Sequence, residues 1–202
     1  MPLLNERKMR DRAKHRANAE KLAAHECLDR IRNQSRKRYD VFLSQTMRDA
    51  EIVLGVYDYL EQQGYSVYCD WIESPESDRA AVTPANAAAV REAMRASDTM
   101  LFIDTQGAVQ SRWMCWELGW FDAAKGHVAI LPVVSQDTEY YHGREFLGLY
   151  PYVRIDIEGD LEIVRPPATG PSGVTLFESP NSESFLRWRR STSGFQRPKV
   201  IG

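Results

Sequence analysis

Short apolar runs and amphipathic stretches alternate along residues 39–157. The apolar runs have the length and the β-branched or aromatic content of buried strands, and the stretches between them have apolar residues at helical spacing. Because strand–helix–strand alternation produces parallel strands joined by right-handed crossovers, the pattern predicts a doubly wound α/β sheet. The predicted strands are Tyr39–Ser44, Tyr65–Cys69, Thr99–Asp104, His127–Val134 and Tyr152–Ile157.

Capping residues indicate where helices begin between these strands. Thr46 with Asp49 forms a capping box for a first helix, which Gly64 ends. Pro84 suits the first turn of a second helix that runs to Ala96, and Ser111 is a preferred N-cap for a third.

The segments on either side of this alternation differ from it in composition. Residues 1–38 hold twelve of the 26 Lys and Arg but only five of the 28 Asp and Glu, and residues 6–32 predict one long charged helix. From Arg165 onward Pro, Gly and Ser are frequent, and residues 181–190 predict one more short helix. We therefore expect an N-terminal helical segment (1–38), a central domain (39–164) and a C-terminal extension (165–202).

The helix after Ser111 has an unusual composition. A turn of roughly 100° per residue brings Trp113, Trp116, Glu117 and Trp120 into one stripe. The other sides are also apolar, so the helix is expected to be largely buried, with Trp116 and Trp120 in the core. A buried carboxylate needs hydrogen-bond donors, or else it has a perturbed pKa and a chemical role. Glu117 is therefore either a paired structural residue or a site residue.

Polar or aromatic residues follow several predicted strands directly. In doubly wound sheets, ligands bind outside the carboxyl ends of the strands, so these residues should converge with the start of the tryptophan helix. They are Gln45, Thr46, Trp71 and Asp104. Trp71 lies in a long polar loop, which is typical of a functional segment.

The sequence lacks the motifs of several protein classes. No Gly-rich phosphate loop follows the first strand, and no nucleophile elbow surrounds a serine. The three cysteines and four histidines are scattered, which favours reduced thiols and no metal site. There is no signal peptide and no apolar run of about 18 residues, so a cytoplasmic protein without membrane contact is expected. The basic N-terminal residues are mixed with acids, so nucleic acid is not the expected partner.

Three segments resemble the signature boxes of a bacterial TIR (Toll/interleukin-1 receptor) domain. They are Tyr39–Ser44, Tyr65–Trp71 at the start of the long loop, and Ser111-x-Trp113-x-x-x-Glu117-Leu118, in the family's order and spacing. The resemblance covers roughly residues 39–155. It implies a flavodoxin-like fold with a five-stranded parallel sheet, in which the loop that contains Trp71 is the family's BB loop.

Many bacterial members of this family cleave NAD to nicotinamide and ADP-ribose or a cyclic isomer, often as an antiphage signal, whereas others are assembly adaptors. The resemblance implies NAD as a substrate, no cofactor, self-association through the TIR domain, and a downstream effector that binds the product. By position, Glu117 resembles the catalytic glutamate and Trp113 its aromatic partner. The expected substrate-binding residues are Gln45, Thr46, Trp71, Ser111 and Trp113.

The chemistry of this reaction suits a single carboxylate. Nicotinamide leaves a pyridinium as a neutral base, so the second carboxylate of an ordinary glycosidase is not required. Glu117 would hold the ribose hydroxyls and stabilise the oxocarbenium-like charge, while tryptophan faces exclude water. Good exclusion of water favours cyclisation through the adenine of the same molecule, and poor exclusion favours hydrolysis.

Two other functions stay open on the sequence: a non-enzymatic TIR adaptor, and a base-exchange or deoxyribosyl transferase acting on free nucleosides. The sequence also departs from the family. Gln45-Thr46 follows the first box, where His or Tyr is frequent, and Asp104 ends the third strand, where Ser is common. These departures concern contacts to the base or to nicotinamide rather than Glu117. Ser111 is also explained by helix capping alone.

Overall fold

The computed structural model describes residues 2–32, 36–46, 49–69, 83–105, 111–139, 141, 143, 145–165 and 182–191. Within these ranges the chain forms a mixed sheet with helices on both faces. The strands are β1 (Leu4–Asn5), β2 (Tyr39–Ser44), β3 (Val67–Cys69), β4 (Ser97–Asp104), β5 (Val128–Val134), β6 (Tyr152–Ile155), β7 (Leu161–Val164) and β8 (Ser182–Ser184). The helices are α1 (Glu6–Glu20), α2 (Ala24–Arg32), α3 (Ala50–Gln62), α4 (Pro84–Ala96), α5 (Arg112–Ala124) and α6 (Phe185–Arg190), and a 3-10 helix spans Glu145–Leu149.

Five parallel strands form the centre of the sheet, in the order β3-β2-β4-β5-β6. They correspond to the five predicted strands, and their order is that of a flavodoxin-like doubly wound sheet, so the predicted fold class is confirmed. The sheet is also larger than predicted. Strands β7 and β8 extend it beyond β6 with antiparallel pairing, and β1 pairs with β5.

The ends of two strands are set by neighbouring turns. The N–H of Tyr65 donates to the carbonyl of Leu60 at 3.1 Å, and Gly64 has a φ of +84°. Tyr65 therefore belongs to the turn that ends α3, and β3 begins only at Val67. At the end of β6, the side chain of Asp156 accepts the N–H of Glu158 at 2.9 Å, so the chain turns there.

Apolar side chains form one core cluster on each face of the sheet. Helices α1, α2 and α3 cover the face to which Val41 and Leu43 of β2 belong. Helices α4 and α5 cover the opposite face, to which Phe42 belongs. Helix α5 thereby packs against β2, β4 and β5. No helix of the described residues combines the length and the apolar character that crossing a membrane requires.

The prediction of a single helix over residues 6–32 is wrong, because the chain changes direction at Lys21. Lys21 has a left-handed conformation, with a φ of 56°, and its N–H donates to the carbonyls of Ala17 and Asn18 at the end of α1. Helix α2 then follows in a new direction. This bend allows α2 to bury three apolar residues in the same core as α3, namely Cys27, Leu28 and Ile31.

The N-terminal residues contribute a strand that the sequence pattern does not predict. Strand β1 lies parallel to the end of β5, with Leu4 opposite Val133. On its other side, the N–H of Ile155 in β6 donates to the carbonyl of Pro2 at 3.0 Å. The N-terminus therefore joins both β5 and β6 at the carboxyl end of the sheet.

The C-terminal helix predicted over residues 181–190 is confirmed only in part, because residues 185–190 form α6 and residues 182–184 form strand β8. Phe185 and Trp188 are buried in the same core as α3, and Arg189 forms ion pairs with Asp40 and Asp98. Residues 182–191 are thus packed into the central domain, although they belong to the extension that the sequence predicts from residue 165. Residues 166–181 and 192–202 of that extension lie outside the described residues.

A group of three carboxylates lies at the turn between β6 and β7. Oxygens of Asp156, Glu158 and Asp160 lie within 4.8 Å of one another. Oδ1 of Asp156 accepts the N–H groups of Glu158 and Asp160, each at 2.9 Å. This carboxylate therefore stabilises the turn through its own backbone.

Candidate active site

Helix α5 begins where predicted, and one face of it is buried against the sheet. Oγ of Ser111 caps the helix by accepting the N–H of Met114 at 3.3 Å. Met114, Glu117, Leu118 and Phe121 follow one another at i, i+3, i+4 and i+7, and all are buried. Glu117 is only 4% exposed, so its carboxylate lies within the apolar face of the helix.

The tryptophans of α5 flank this buried face instead of forming it. Trp113, Trp116 and Trp120 are each partly buried and pack against the core cluster, so the prediction that Trp116 and Trp120 lie in the core is confirmed only in part. The rings of Trp113 and Trp116 lie 4.8 Å apart, and the Arg95 guanidinium lies 5.7 Å from the ring of Trp120. The tryptophans are partly exposed because of how α5 is rotated about its own axis. The residues that face the sheet are offset by one position from the tryptophans, so narrower side chains fill the space between helix and sheet.

Ser44 donates a hydrogen bond to Glu117 that the sequence does not predict. Its Oγ lies 2.6 Å from Oε2 of Glu117, and both side chains are buried. Ser44 is the last residue of β2 and shares a sheet face with Phe42, because alternate residues of a strand point to the same side. A hydrogen bond to a charged group offsets part of the cost of burying it and fixes its orientation. The feature of the sequence that could have identified Ser44 is its position as a polar residue at the end of an apolar run.

Two more polar side chains at the carboxyl edge of the sheet are nearly buried. Gln45 is 4% exposed and Asp104 is 6% exposed, whereas Thr46 is partly buried. Oδ2 of Asp104 accepts the hydroxyl of Tyr141 at 2.7 Å. Tyr141 follows β5 and was not identified from the sequence, since no local pattern connects it with Asp104.

The register of the sheet shows where Asp104 lies relative to Glu117. Ser44, which binds Glu117, lies opposite Phe102 of β4. Asp104 follows Phe102 by two residues, so it lies on the same face and about 7 Å further along the strand. The Ser44–Glu117 pair and the Asp104–Tyr141 pair are therefore neighbours on one face of the sheet, at its carboxyl edge.

A cleft of about 490 Å³ crosses this edge beside the two pairs. Thr46, Asp104 and Tyr141 contribute to its wall, together with Asp49, the N-cap residue of α3. Its volume lies within the range of small-molecule sites. Glu117 does not line this cleft, so the cleft lies beside the glutamate rather than over it.

The predicted capping box of Thr46 and Asp49 is wrong. Asp49 itself caps α3, because its Oδ1 accepts the N–H of Ile52 at 3.2 Å. Thr46 precedes the cap and lines the cleft.

The structure brings together most of the residues that the sequence singled out. Glu117, Ser111 and Trp113 lie in or directly before the first two turns of α5, and Gln45 and Thr46 follow β2. Trp71 and the loop after β3 lie outside the described residues. The binding and catalytic roles of these residues stay predictions.

Comparisons with known proteins agree with this architecture. The TIR domain family matches residues 41–162 of the chain. A protein of Bacillus cereus (strain MSX-D12), named "Probable 3' cyclic ADP-D-ribose synthase ThsB'", is 48% identical over 118 residues, which are 58% of this chain and 61% of that protein. A protein of Cytobacillus dafuensis, named "Putative cyclic ADP-D-ribose synthase TIR2", is 27% identical over 86 residues, which are 42% of this chain and 23% of that protein.

In both relatives the similarity spans less than two thirds of the protein's own length. The family match, by contrast, covers more than half of this chain and coincides with the five parallel strands and α5. The chain therefore belongs to the TIR domain family.

Proposed function

We propose that this chain cleaves NAD at the bond between nicotinamide and ribose, with Glu117 as the catalytic carboxylate. The products are nicotinamide and ADP-ribose or a cyclic isomer of ADP-ribose. The observation that carries the proposal is the buried Glu117, oriented by the Ser44 hydroxyl at 2.6 Å, at the sheet edge where doubly wound folds bind ligands. The names of the two relatives, both of them cyclic ADP-D-ribose synthases, support the substrate.

A fixed carboxylate meets the main requirement of this reaction. When nicotinamide leaves with the bonding electron pair, positive charge develops on the ribose carbon and ring oxygen. A negative group held in place in a water-poor site stabilises that charge without rearranging during the reaction. Because Ser44 holds Oε2 of Glu117, the carboxylate keeps one orientation throughout the step.

Aromatic and polar residues around Glu117 complete the proposed site. Trp113 lies one turn before Glu117 on α5 and is partly buried, so its ring is a suitable surface for a flat pyridine or purine. The other residues proposed to contact the substrate are Gln45, Thr46, Trp71 and Ser111. No cofactor takes part, since NAD is itself the substrate.

We also propose that the chain acts in an assembly formed through the TIR domain. Head-to-tail contacts between identical chains are heterologous and grow into filaments, which would couple assembly to activity. The released product would bind a downstream effector, as expected of a signalling enzyme in antiphage defence.

The test is chromatography of NAD after incubation with the concentrated protein. The wild type is expected to release nicotinamide together with ADP-ribose or its cyclic isomer. Glu117→Gln keeps the shape of the side chain and removes its charge, so the rate is expected to fall by at least about 100-fold. Glu92→Gln is the matched control, because the Glu92 side chain is 71% exposed on α4.

Each other outcome identifies a different function. Absence of nicotinamide release, even with crowding agents that promote assembly, would support the adaptor. Turnover of free nucleosides without turnover of NAD would support the transferase. An equal rate for the wild type and Glu117→Gln would overturn the role of Glu117.

A further inference from the structure

The guanidinium of Arg10 on α1 forms a hydrogen bond with each of its N–H groups. It donates to both carboxylate oxygens of Asp49, one of them at 2.9 Å, and to Glu51 at 3.1 Å. On its own helix it donates twice to Oε1 of Glu6, at 2.8 Å and 3.3 Å. Arginine has five N–H donors in one plane, and these bonds use all of them. We call these four residues the Arg10 cluster.

Two carboxylates of the Arg10 cluster line the cleft beside Glu117. Glu6 is the first residue of α1, and Asp49 is the N-cap residue of α3. Thr46, which precedes Asp49 in the chain, lines the same cleft. Arg10 itself is not among the described residues that line it. The guanidinium therefore joins the starts of two helices from outside the cleft.

The N-terminal segment is also fixed to the residues that follow β5. Strand β1 pairs with the end of β5, and the Asn5 side chain donates to Asp137 at 2.8 Å. Residues 133–136 line the cleft. Residues 4–10 therefore connect the wall formed after β5 with the wall formed after β2.

Thr46 lies between two fixed points of the chain. Ser44 is held in β2, which pairs with β3 and β4, and Asp49 is held by Arg10. A bidentate pair of arginine and carboxylate is among the stronger side-chain interactions and adds geometric precision. The position of Thr46 therefore depends in part on the bonds between Arg10 and Asp49.

Arg10 belongs to a segment beyond the part of the chain that matches the TIR family. The match begins at residue 41, so Thr46 and Asp49 lie within it and α1 lies outside it. Helix α1 also covers the face of the sheet opposite to α5, so Arg10 does not act on Glu117 directly. The Arg10 cluster thus links an added helix to the rim of the candidate site.

We propose that Arg10 is a positioning residue for the substrate: by holding Asp49 it fixes the part of the cleft to which Thr46 belongs, and so lowers the KM for NAD. This inference rests on the proposed cleavage of NAD, in which Thr46 contacts the substrate. A residue that helps to bind ground state and transition state alike changes KM and leaves kcat unaltered. Arg10 therefore acts on a different kinetic constant from Glu117.

The experiment measures kcat and KM for nicotinamide release by the full chain, as wild type and as Arg10→Gln. We expect KM for NAD to rise roughly tenfold while kcat stays within about twofold of the wild type. KM equals the dissociation constant only when the chemical step is slow, so NAD binding is also measured by calorimetry in the Glu117→Gln background. Adding Arg10→Gln to that background should raise the dissociation constant by the same factor.

Arg10→Lys separates geometry from charge. It keeps a positive charge beside Glu6 and Asp49, but an ammonium group cannot bind both oxygens of Asp49 in one plane as a guanidinium does. KM should therefore stay close to its value in Arg10→Gln. A wild-type KM in Arg10→Lys would overturn the inference, because charge alone would then suffice.

Asp49→Asn tests whether Arg10 acts through Asp49. Asparagine caps a helix about as well as aspartate, so the cap of α3 is kept while Arg10 loses its charged partner. In the double variant Arg10→Gln/Asp49→Asn, KM should rise no further than in the more affected single variant. If the two effects on KM multiplied independently, the route through Asp49 would be overturned.

Arg12→Gln is the matched control on the same helix. Arg12 donates to Asp58 at 3.0 Å and to Gln62 at 2.7 Å. Its side chain is 33% exposed, against 31% for Arg10. Both of its partners lie toward the end of α3 and do not line the cleft. Arg12→Gln should therefore lose thermal stability to a similar extent and keep the wild-type KM.

The remaining outcomes also decide the inference. Equal changes of KM in Arg10→Gln and Arg12→Gln would indicate a general loss of packing between α1 and α3, and would overturn it. An unchanged KM and dissociation constant in Arg10→Gln would overturn it and leave NAD cleavage intact. A wild type without nicotinamide release would overturn the proposed function and this inference together.

Discussion

The hydrogen bond between Ser44 and Glu117 determines how the carboxylate is held. Glu117 is nearly inaccessible to water, so its charge depends on donors from the protein. Ser44 supplies one of them from the end of β2, a central strand that is paired with β3 on one side and β4 on the other. Ser44 is fixed by the sheet and Glu117 by α5. The geometry of their hydrogen bond therefore depends on how α5 packs against the sheet.

Removal of this donor should affect catalysis more than folding. In Ser44→Ala, the carboxylate loses the hydrogen bond that fixes its orientation, so nicotinamide release is expected to slow by roughly 10- to 100-fold. Steady-state kinetics should show the loss in kcat, because Ser44 orients the carboxylate rather than binding NAD directly.

Ser97→Ala is the matched control for that substitution. Ser97 is equally buried, but its Oγ donates to the carbonyl of Ala93 at 2.8 Å, and it lies at the amino end of β4, whereas Ser44 lies at the carboxyl end of β2. This variant should lose some thermal stability and keep the wild-type rate. A Ser44→Ala enzyme as active as Ser97→Ala would show that Glu117 is held by its other surroundings.

At the scale of secondary-structure elements, the contact between α1 and α3 depends on one glycine. A Cβ added at Gly55 would lie 2.0 Å from the carbonyl oxygen of Met9, so α1 approaches α3 closer than any side chain permits. Arginines of α1 also pair with acids of α3, as between Arg16 and Glu61 at 2.7 Å. The glycine sets the distance at which these ion pairs form.

Two Gly→Ala substitutions should therefore have opposite effects on stability. Gly55→Ala forces backbone atoms apart, so the free energy of unfolding is expected to fall by about 1–3 kcal/mol. Gly119→Ala lies in α5 with no atom within 4 Å of the new Cβ, so the gain in helix propensity should stabilise the protein by about 0.5–1 kcal/mol. Urea denaturation measures both values. A gain in stability in both variants would show that α1 is not tightly packed on α3.

At the scale of the whole molecule, Arg189 connects the C-terminal helix with the amino edge of the sheet. It forms ion pairs with Asp40 at the start of β2 and with Asp98 at the start of β4, the latter at 3.2 Å. Burial acts to raise the pKa of Asp40, but hydrogen bonds from Ser66 and the charge of Arg189 outweigh it, so the pKa lies below its ordinary value of 3.8.

This shift predicts how stability depends on pH. Because the pKa of Asp40 is lower in the folded state than in the unfolded state, its contribution is complete above pH 3.8 and is lost as the pH falls through the folded value. Asp40→Asn should therefore lower the free energy of unfolding by about 1–2 kcal/mol at pH 7, with allowance for partial solvent screening.

The measurement is urea denaturation of the wild type and Asp40→Asn at neutral and at acid pH. The difference in free energy of unfolding between the wild type and Asp40→Asn should shrink as the pH falls below the ordinary pKa of the Asp40 carboxyl, 3.8. Arg189→Gln should show the same trend, because it removes the other member of the ion pair. If Asp40→Asn lowered the free energy of unfolding by the same amount at neutral and at acid pH, the electrostatic explanation would be refuted.

The sequence by itself determined the features that depend on neighbouring residues. The five parallel strands follow from apolar runs, the start of α5 follows from the Ser111 cap, and the burial of Glu117 follows from its position within an apolar helix. The family boxes lie within the same segments, so the fold and the candidate catalytic residue were predictable. These features are local because backbone geometry sets the periods of strands and helices.

Only the tertiary structure decided which distant residues meet. Ser44 and Glu117 are 73 positions apart, and Asp104 and Tyr141 are 37 positions apart. The insertion of β1 beside β5, the bend at Lys21 and the partial exposure of the tryptophans depend likewise on how elements pack. No periodicity encodes these contacts, because they follow from the order of the strands, the rotation of each helix against the sheet and the path of the chain between them.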